Sequence, residues 1–169
     1  MKLPNKKPIR LKNYDYSEPG AYFITICTKG RKPILSRITV GTGILDRPQN
    51  ILSSHGEIAN NQIKYMNGFY PEISVDKYVI MPNHIHLLLR INSYSKGRSG
   101  MPVPTSANSS IAKFVGTFKR FCNRQYETNI WQSRSHDHII RNKKDYDKIW
   151  EYIDTNVDRW DKDCFYTKN

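Results

Sequence analysis

The chain has 169 residues, with 27 Lys plus Arg against 15 Asp plus Glu and a formal net charge of +12. Hydrophobic residues make up 38% and charged residues 25%, which excludes a disordered chain and fits one domain able to bury a core. So large a basic surplus points to a polyanionic partner, and 11 tyrosines interleaved with the basic residues favour nucleic acid over an anionic membrane or a merely basic surface. No apolar run reaches the length of a membrane span, and residues 1–12 lack an apolar signal core, so no membrane association is expected. Cys27, Cys122 and Cys164 are widely separated and odd in number; they read as reduced, small buried hydrophobes of a cytoplasmic protein.

Residues 1–19 are basic and contain proline, and read as an extended arm ahead of one domain over 20–169. Ala21 to Thr28 is dense in aromatic and β-branched residues and stops before Gly30, which predicts a strand. Residues 41–50 carry Gly, Pro and Asn and read as a loop. Ser54 with Glu57 three residues later matches a capping box, opening a helix that runs to about Met66. Ser74 to Ile91 reads as two strands broken at Pro82-Asn83, or as one long bent strand. Residues 93–109 are rich in Gly, Ser and Pro and form a flexible loop within the domain. Beyond it Ile111, Phe114, Val115, Phe118 and Cys122 recur at helical spacing, with Lys113, Arg120 and Arg124 opposite that stripe. The basic side is either a solvated face or one that contacts phosphates. His136-Asp-His-Ile-Ile140 alternates like a further strand. Asn142 is a good N-cap for a last helix, with Asp145 at its third position and Tyr146, Ile149, Trp150, Ile153 and Val157 as its apolar stripe. A few adjacent strands among three helices predict an α+β fold with helices on one sheet face.

The run Met81-Pro-Asn-His-Ile-His-Leu-Leu-Leu-Arg90 carries the most specific chemistry. Side chains alternate along a strand, so His84 and His86 project to one face while Ile85 and Leu87 take the other. Two imidazoles on a rigid strand can grip one divalent metal ion. Tyr152 and Asn156 are four apart on the last helix and share a face at the border of the apolar stripe. By spacing alone they read as readily as a rim tyrosine and a C-cap. His136 and His138 also share a strand face; a four-histidine metal site is conceivable, but a structural or DNA-contacting role is favoured.

Tyr78 to Leu89, Phe114-Val-Gly-Thr-Phe-Lys-Arg-Phe121, Trp131-Gln132, Asp137 to Arg141 and Tyr152-Ile-Asp-Thr-Asn156 together resemble the REP-associated tyrosine transposases, relatives of the single-tyrosine HUH transposases of insertion sequences. The resemblance runs from about Gly20 to the C-terminus in order and spacing. It implies a ferredoxin-like (RRM-like) antiparallel sheet, a metal pair at His84 and His86, a nucleophile at Tyr152 and a third ligand at Asn156. It also implies magnesium or manganese as cofactor, single-stranded or hairpin DNA as partner, a bacterial nucleoid setting, and either a monomer or a homodimer. The implied reaction is cleavage and rejoining of DNA through a 5′-phosphotyrosine link; a non-catalytic binding module and a water-using nuclease are the alternatives. Arg31, Lys113, Lys119, Arg120, Arg124, Lys143 and Lys144 are the candidate DNA contacts, with Lys32 beside them. The chain departs from the family in two places. Val157 stands where the family has proline, which should let the helix run on past Asn156, and Ser135 replaces an aromatic.

Overall fold

A computed structural model describes residues 15–39, 47–92 and 109–166. Most of the basic arm and the whole glycine-rich stretch of 93–108 lie outside the described residues. Gly20–Cys27 (β1), Ile73–Ile80 (β4), His84–Ile91 (β5) and His136–Ile140 (β6) form one antiparallel sheet in the order β4-β5-β1-β6. Ser36–Thr39 (β2) and Gln49–Leu52 (β3) pair separately. The helices are Ser54–Phe69 (α1), Ser110–Tyr126 (α2) and Lys143–Thr155 (α3). The α+β antiparallel class expected from the sequence is therefore the observed one.

Alternation on the two central strands divides the sheet into unlike faces. Tyr22, Ile24 and Ile26 of β1 and Ile85, Leu87 and Leu89 of β5 point together into the main core. Ala59, Ile63 and Met66 of α1 and Ile111, Phe114, Phe118 and Cys122 of α2 close it from above. The opposite face has a smaller cluster, Ala21, Leu88, Ile140 and Ile153, with Phe23, Val79, Tyr146 and Ile149 packed at its margin. Helices on one face thus describes α1 and α2, whereas α3 lies against the other face.

Pro82-Asn83 proves to be a hairpin turn: β4 and β5 pair with Ile80 opposite Ile85. The cap of α1 sits one residue earlier than expected. Ser53, not Ser54, accepts from the Gly56 amide at 3.1 Å, and its hydroxyl also reaches the Ile34 and Leu35 carbonyls. Gly56 is required there, because a Cβ would collide with the Leu35 carbonyl oxygen. The helix then runs to Phe69, one turn beyond Met66. The predicted loop over 41–50 is cut short by β3, which begins at Gln49 and finds its partner in β2.

One irregularity shapes the far face. Between Val75 and Lys77 the β4–β5 register shifts, leaving Asp76 as the bulged residue. Its carboxylate accepts from Arg90 Nε and from the Tyr146 hydroxyl, both at 2.8 Å, and so ties α3 to the sheet.

Candidate active site

His84 and His86 stand on β5, a strand hydrogen-bonded on both edges, and both are fully buried on the face that α3 covers. Their Nε2 atoms lie 3.0 Å apart. His84 Nδ1 sits 2.8 Å from Asn83 Oδ1, and His86 Nδ1 sits 2.8 Å from Thr25 Oγ1. Asn83 is itself fixed, its amide nitrogen donating to the Phe165 carbonyl at 2.7 Å, so its oxygen faces His84 as an acceptor. That partner places the His84 proton on Nδ1 and leaves the Nε2 lone pair for another ligand. Thr25 can do the same for His86, since a hydroxyl accepts as well as donates.

Burial lowers the pKa of His84 to about 4, with Asp163 opposing the fall and Arg31 adding to it. His86 is lowered well below the usual range by burial and then by His84. Neutral imidazoles with inward lone pairs are the form a divalent metal takes up.

Tyr152 and Asn156 come to this pair from α3. The Tyr152 hydroxyl is 3.3 Å from His86 Nε2 and donates to Asp163 Oδ2 at 3.1 Å. The Tyr152 ring is 38% exposed and meets the Phe23 and His86 rings edge-on. Burial pushes its pKa up, and the negative charge and hydrogen bond of Asp163 push it further. Asn156 is 3% exposed. Its amide nitrogen donates to Asp163 Oδ2 at 3.2 Å, and its buried oxygen has no hydrogen-bond partner. The rim-tyrosine and C-cap readings therefore describe where these residues sit on α3 but not what they face.

Val157 does not let the helix run on. Regular α3 ends at Thr155, and the Arg159 amide reaches the Thr155 and Asn156 carbonyls. The chain then turns through a short 3-10 segment, Trp160–Lys162. This reversal delivers Asp163, a residue the sequence did not single out. Oδ1 of Asp163 accepts from the Phe165 amide at 2.7 Å, and Phe165 and Trp160 lie against the His84 ring. His84, His86 and Asp163 offer ligand atoms within 4.8 Å of one another. Two imidazole nitrogens and a carboxylate form a donor set that suits a divalent ion.

The candidate DNA contacts divide between the faces. Arg31 belongs to the site, with its guanidinium 4.9 Å from the Phe165 ring centroid and 3.5 Å from the Cys164 carbonyl. Lys143 and Lys144 are exposed on the first turn of α3, and Lys143 pairs with Asp147 at 2.7 Å. Lys113, Arg120 and Arg124 are exposed on α2, across the sheet from the histidines. Lys119 is turned inward and donates to the carbonyls of Gln132, Ser133 and Arg134 ahead of β6. His138 pairs with Asp145 at 2.8 Å, and among the described residues it joins no cluster with the first pair. Cys27 and Cys122 are buried as expected, whereas Cys164 is exposed because it rides on the segment that covers the histidines. Among the described residues no helix is long and apolar enough to cross a membrane.

Known proteins resemble the chain in sequence and in fold. An uncharacterized protein of Haemophilus influenzae is 31% identical over 177 residues, covering 97% of this chain and 94% of its own length. A second protein of that organism, provisionally named a REP-associated tyrosine transposase, is 26% identical over 85% of this chain and 74% of its own length. The solved structure of a REP-associated tyrosine transposase bound to a REP hairpin superposes with a TM-score of 0.58 at 20% identity, covering 87% of this chain and 71% of that one. No family model matches the chain. Fold and site together define a transposase-like α+β domain with a histidine pair on a central strand. The chain shares a family with the uncharacterized Haemophilus influenzae protein and is similar to the REP-associated tyrosine transposases.

Proposed function

We propose that this protein cleaves and rejoins single-stranded or hairpin DNA, with Tyr152 as the nucleophile. The observation that carries this reading is the position of the Tyr152 hydroxyl, 3.3 Å from His86 Nε2 and 3.1 Å from Asp163 Oδ2. A phenol beside a metal-ligating pair, partly open to solvent, is placed to attack a phosphate held against that pair.

The chemistry follows from the surroundings of the phenol. The Tyr152 oxygen attacks phosphorus in line, its proton passes to the Asp163 carboxylate that already accepts its hydrogen bond, and the bond to the 3′-oxygen breaks as that oxygen takes a proton from solvent, to which Asp163 returns the one it received. The products are a 5′-phosphotyrosine link and a free 3′-hydroxyl. A hydroxyl of the same or another strand reverses the step and rejoins DNA without ATP, because the link conserves the bond energy. His84 Nε2, His86 Nε2, Asp163 and the Asn156 oxygen would hold the metal. When bound it would supply Lewis-acid polarisation of the phosphate. Arg31, at the edge of the site, could meet a flanking phosphate, whereas Lys143 and Lys144 lie at the opposite end of α3, where Lys143 pairs with Asp147.

The test is incubation of the full chain with hairpin DNA bearing single-stranded flanks, in manganese and in magnesium, followed by a denaturing gel. A covalent adduct that maps to Tyr152 and disappears in Tyr152→Phe is the expected result. Free 5′-phosphate ends at equal rate in both proteins would assign the chemistry to water. Binding without cleavage in either protein and either metal would leave only a DNA-binding module.

A further inference from the structure

The outer surface of the α1–α2 layer carries side chains that the site around Tyr152 does not use. Tyr65 and Phe69, one turn apart on α1, are 55% and 47% exposed. Phe121 of α2 completes a triad, with ring centroids 6.0 Å from Tyr65 and 5.8 Å from Phe69. Rings gathered in water forgo the free energy of burial, so a contiguous aromatic patch on a folded surface marks something that covers it.

Two further observations say what covers this one. First, the charge has one sign. α2 contains no acidic residue, its exposed Arg120 and Arg124 lie beside Phe121, and α1 adds exposed Lys64; Glu57 at the far end is the sole acid within either helix, and Glu127 follows α2 as its C-cap. The Arg120 guanidinium lies 5.8 Å from the Phe121 ring centroid. Second, a groove of about 430 Å³ runs between Gln62, Tyr65, Phe121, Arg124 and Gln125. In it Gln62 Oε1 is buried without a hydrogen-bond partner. Flat rings stack on base faces, amides bond base edges and guanidinium groups meet phosphates. A second copy of the chain would bring its own Arg120 and Arg124 against these across a twofold contact, and like charges would oppose it.

We propose that Tyr65, Phe69 and Phe121 form a stacking platform for unpaired bases of single-stranded nucleic acid, with Arg120 and Arg124 on the phosphates. The platform lies across the sheet from His84, His86 and Tyr152, so it binds independently of any cleavage there. It does not rest on the strand-transfer reading.

The experiment uses the full chain carrying Tyr152→Phe, which separates binding from cleavage. Fluorescence anisotropy with a labelled oligo-dT of about 12 nucleotides gives the affinity across a salt series. Tyr65→Ala with Phe69→Ala should weaken binding roughly tenfold or more and leave the salt slope unchanged. Arg120→Gln with Arg124→Gln should flatten that slope by about 0.7 per residue. Tyr65→Phe, which keeps the ring, should retain affinity and thereby control for folding. In an oligonucleotide carrying 5-iododeoxyuridine, photocrosslinks should map to the triad. Unchanged affinity in the double alanine variant, or crosslinks confined to the Tyr152 side, would overturn the proposal. So would loss of self-association in that variant with dT affinity intact, since the occupant would then be a second copy.

Discussion

The two faces of the sheet are covered by different kinds of contact. α2 buries seven residues from Ser110 to Cys122, five of them apolar, against the main core. α3 buries Ile153 alone. It is fastened instead by polar clasps: Tyr146 to Asp76, Lys77 to Asp154 and His138 to Asp145, with the Lys77 ammonium 4.4 Å from the Trp150 ring. Both helices are amphipathic in sequence, so pattern alone does not separate them. The difference lies in what each meets: a wall of aliphatic side chains for α2, and a strand face carrying His84, His86 and Arg90 for α3. Stability is concentrated on one side of the sheet and reactive groups on the other.

Substitutions on the two faces should expose that asymmetry. Phe118→Ala, which opens the core under α2, should cost about 3–5 kcal/mol in denaturant unfolding. Ile153→Ala should cost about 2 kcal/mol, the low end for such a truncation, because α3 can settle toward its small cluster. Equal costs in the two variants would erase the distinction. Asp163→Ala should weaken manganese binding by at least about tenfold, seen as a smaller thermal shift at fixed manganese concentration. Asn156→Ala measured beside it tells whether the orphaned amide oxygen is a ligand too. Asn142→Ala removes the acceptor that caps α3 through the Asp145 amide and should cost about 1 kcal/mol. A much larger loss there would mean that α3 depends on its first turn more than on Ile153.

The sheet, the three helices and the histidine pair were legible because each rests on local periodicity. Alternation put Ile85 and Leu87 in the core and His84 and His86 opposite, and helical spacing found the buried stripe of α2. The cap of α1 slipped by one residue because Ser53 and Ser54 are adjacent and both can accept, and the Leu35 carbonyl chose between them. The β2–β3 pair was hidden by loop-forming residues just before Gln49. Asp163 had no local signal at all. It follows α3 in a stretch without periodicity, and only the turn after Asn156 carries it back to the histidines. That Val157 would not carry α3 on past Asn156 likewise had no local signal, since the turn there depends on the docking of residues 160–166.

The position of β5 between β4 and β1 has a mechanical consequence. A strand laddered on both edges cannot slip by one residue without turning His84 and His86 into the core and Ile85 and Leu87 into the site. The histidines are therefore the fixed jaw. Any opening of the site has to come from α3 and the turn beyond it, and hydrogen exchange should find the β5 amides among the slowest in the molecule and those of residues 157–166 among the fastest.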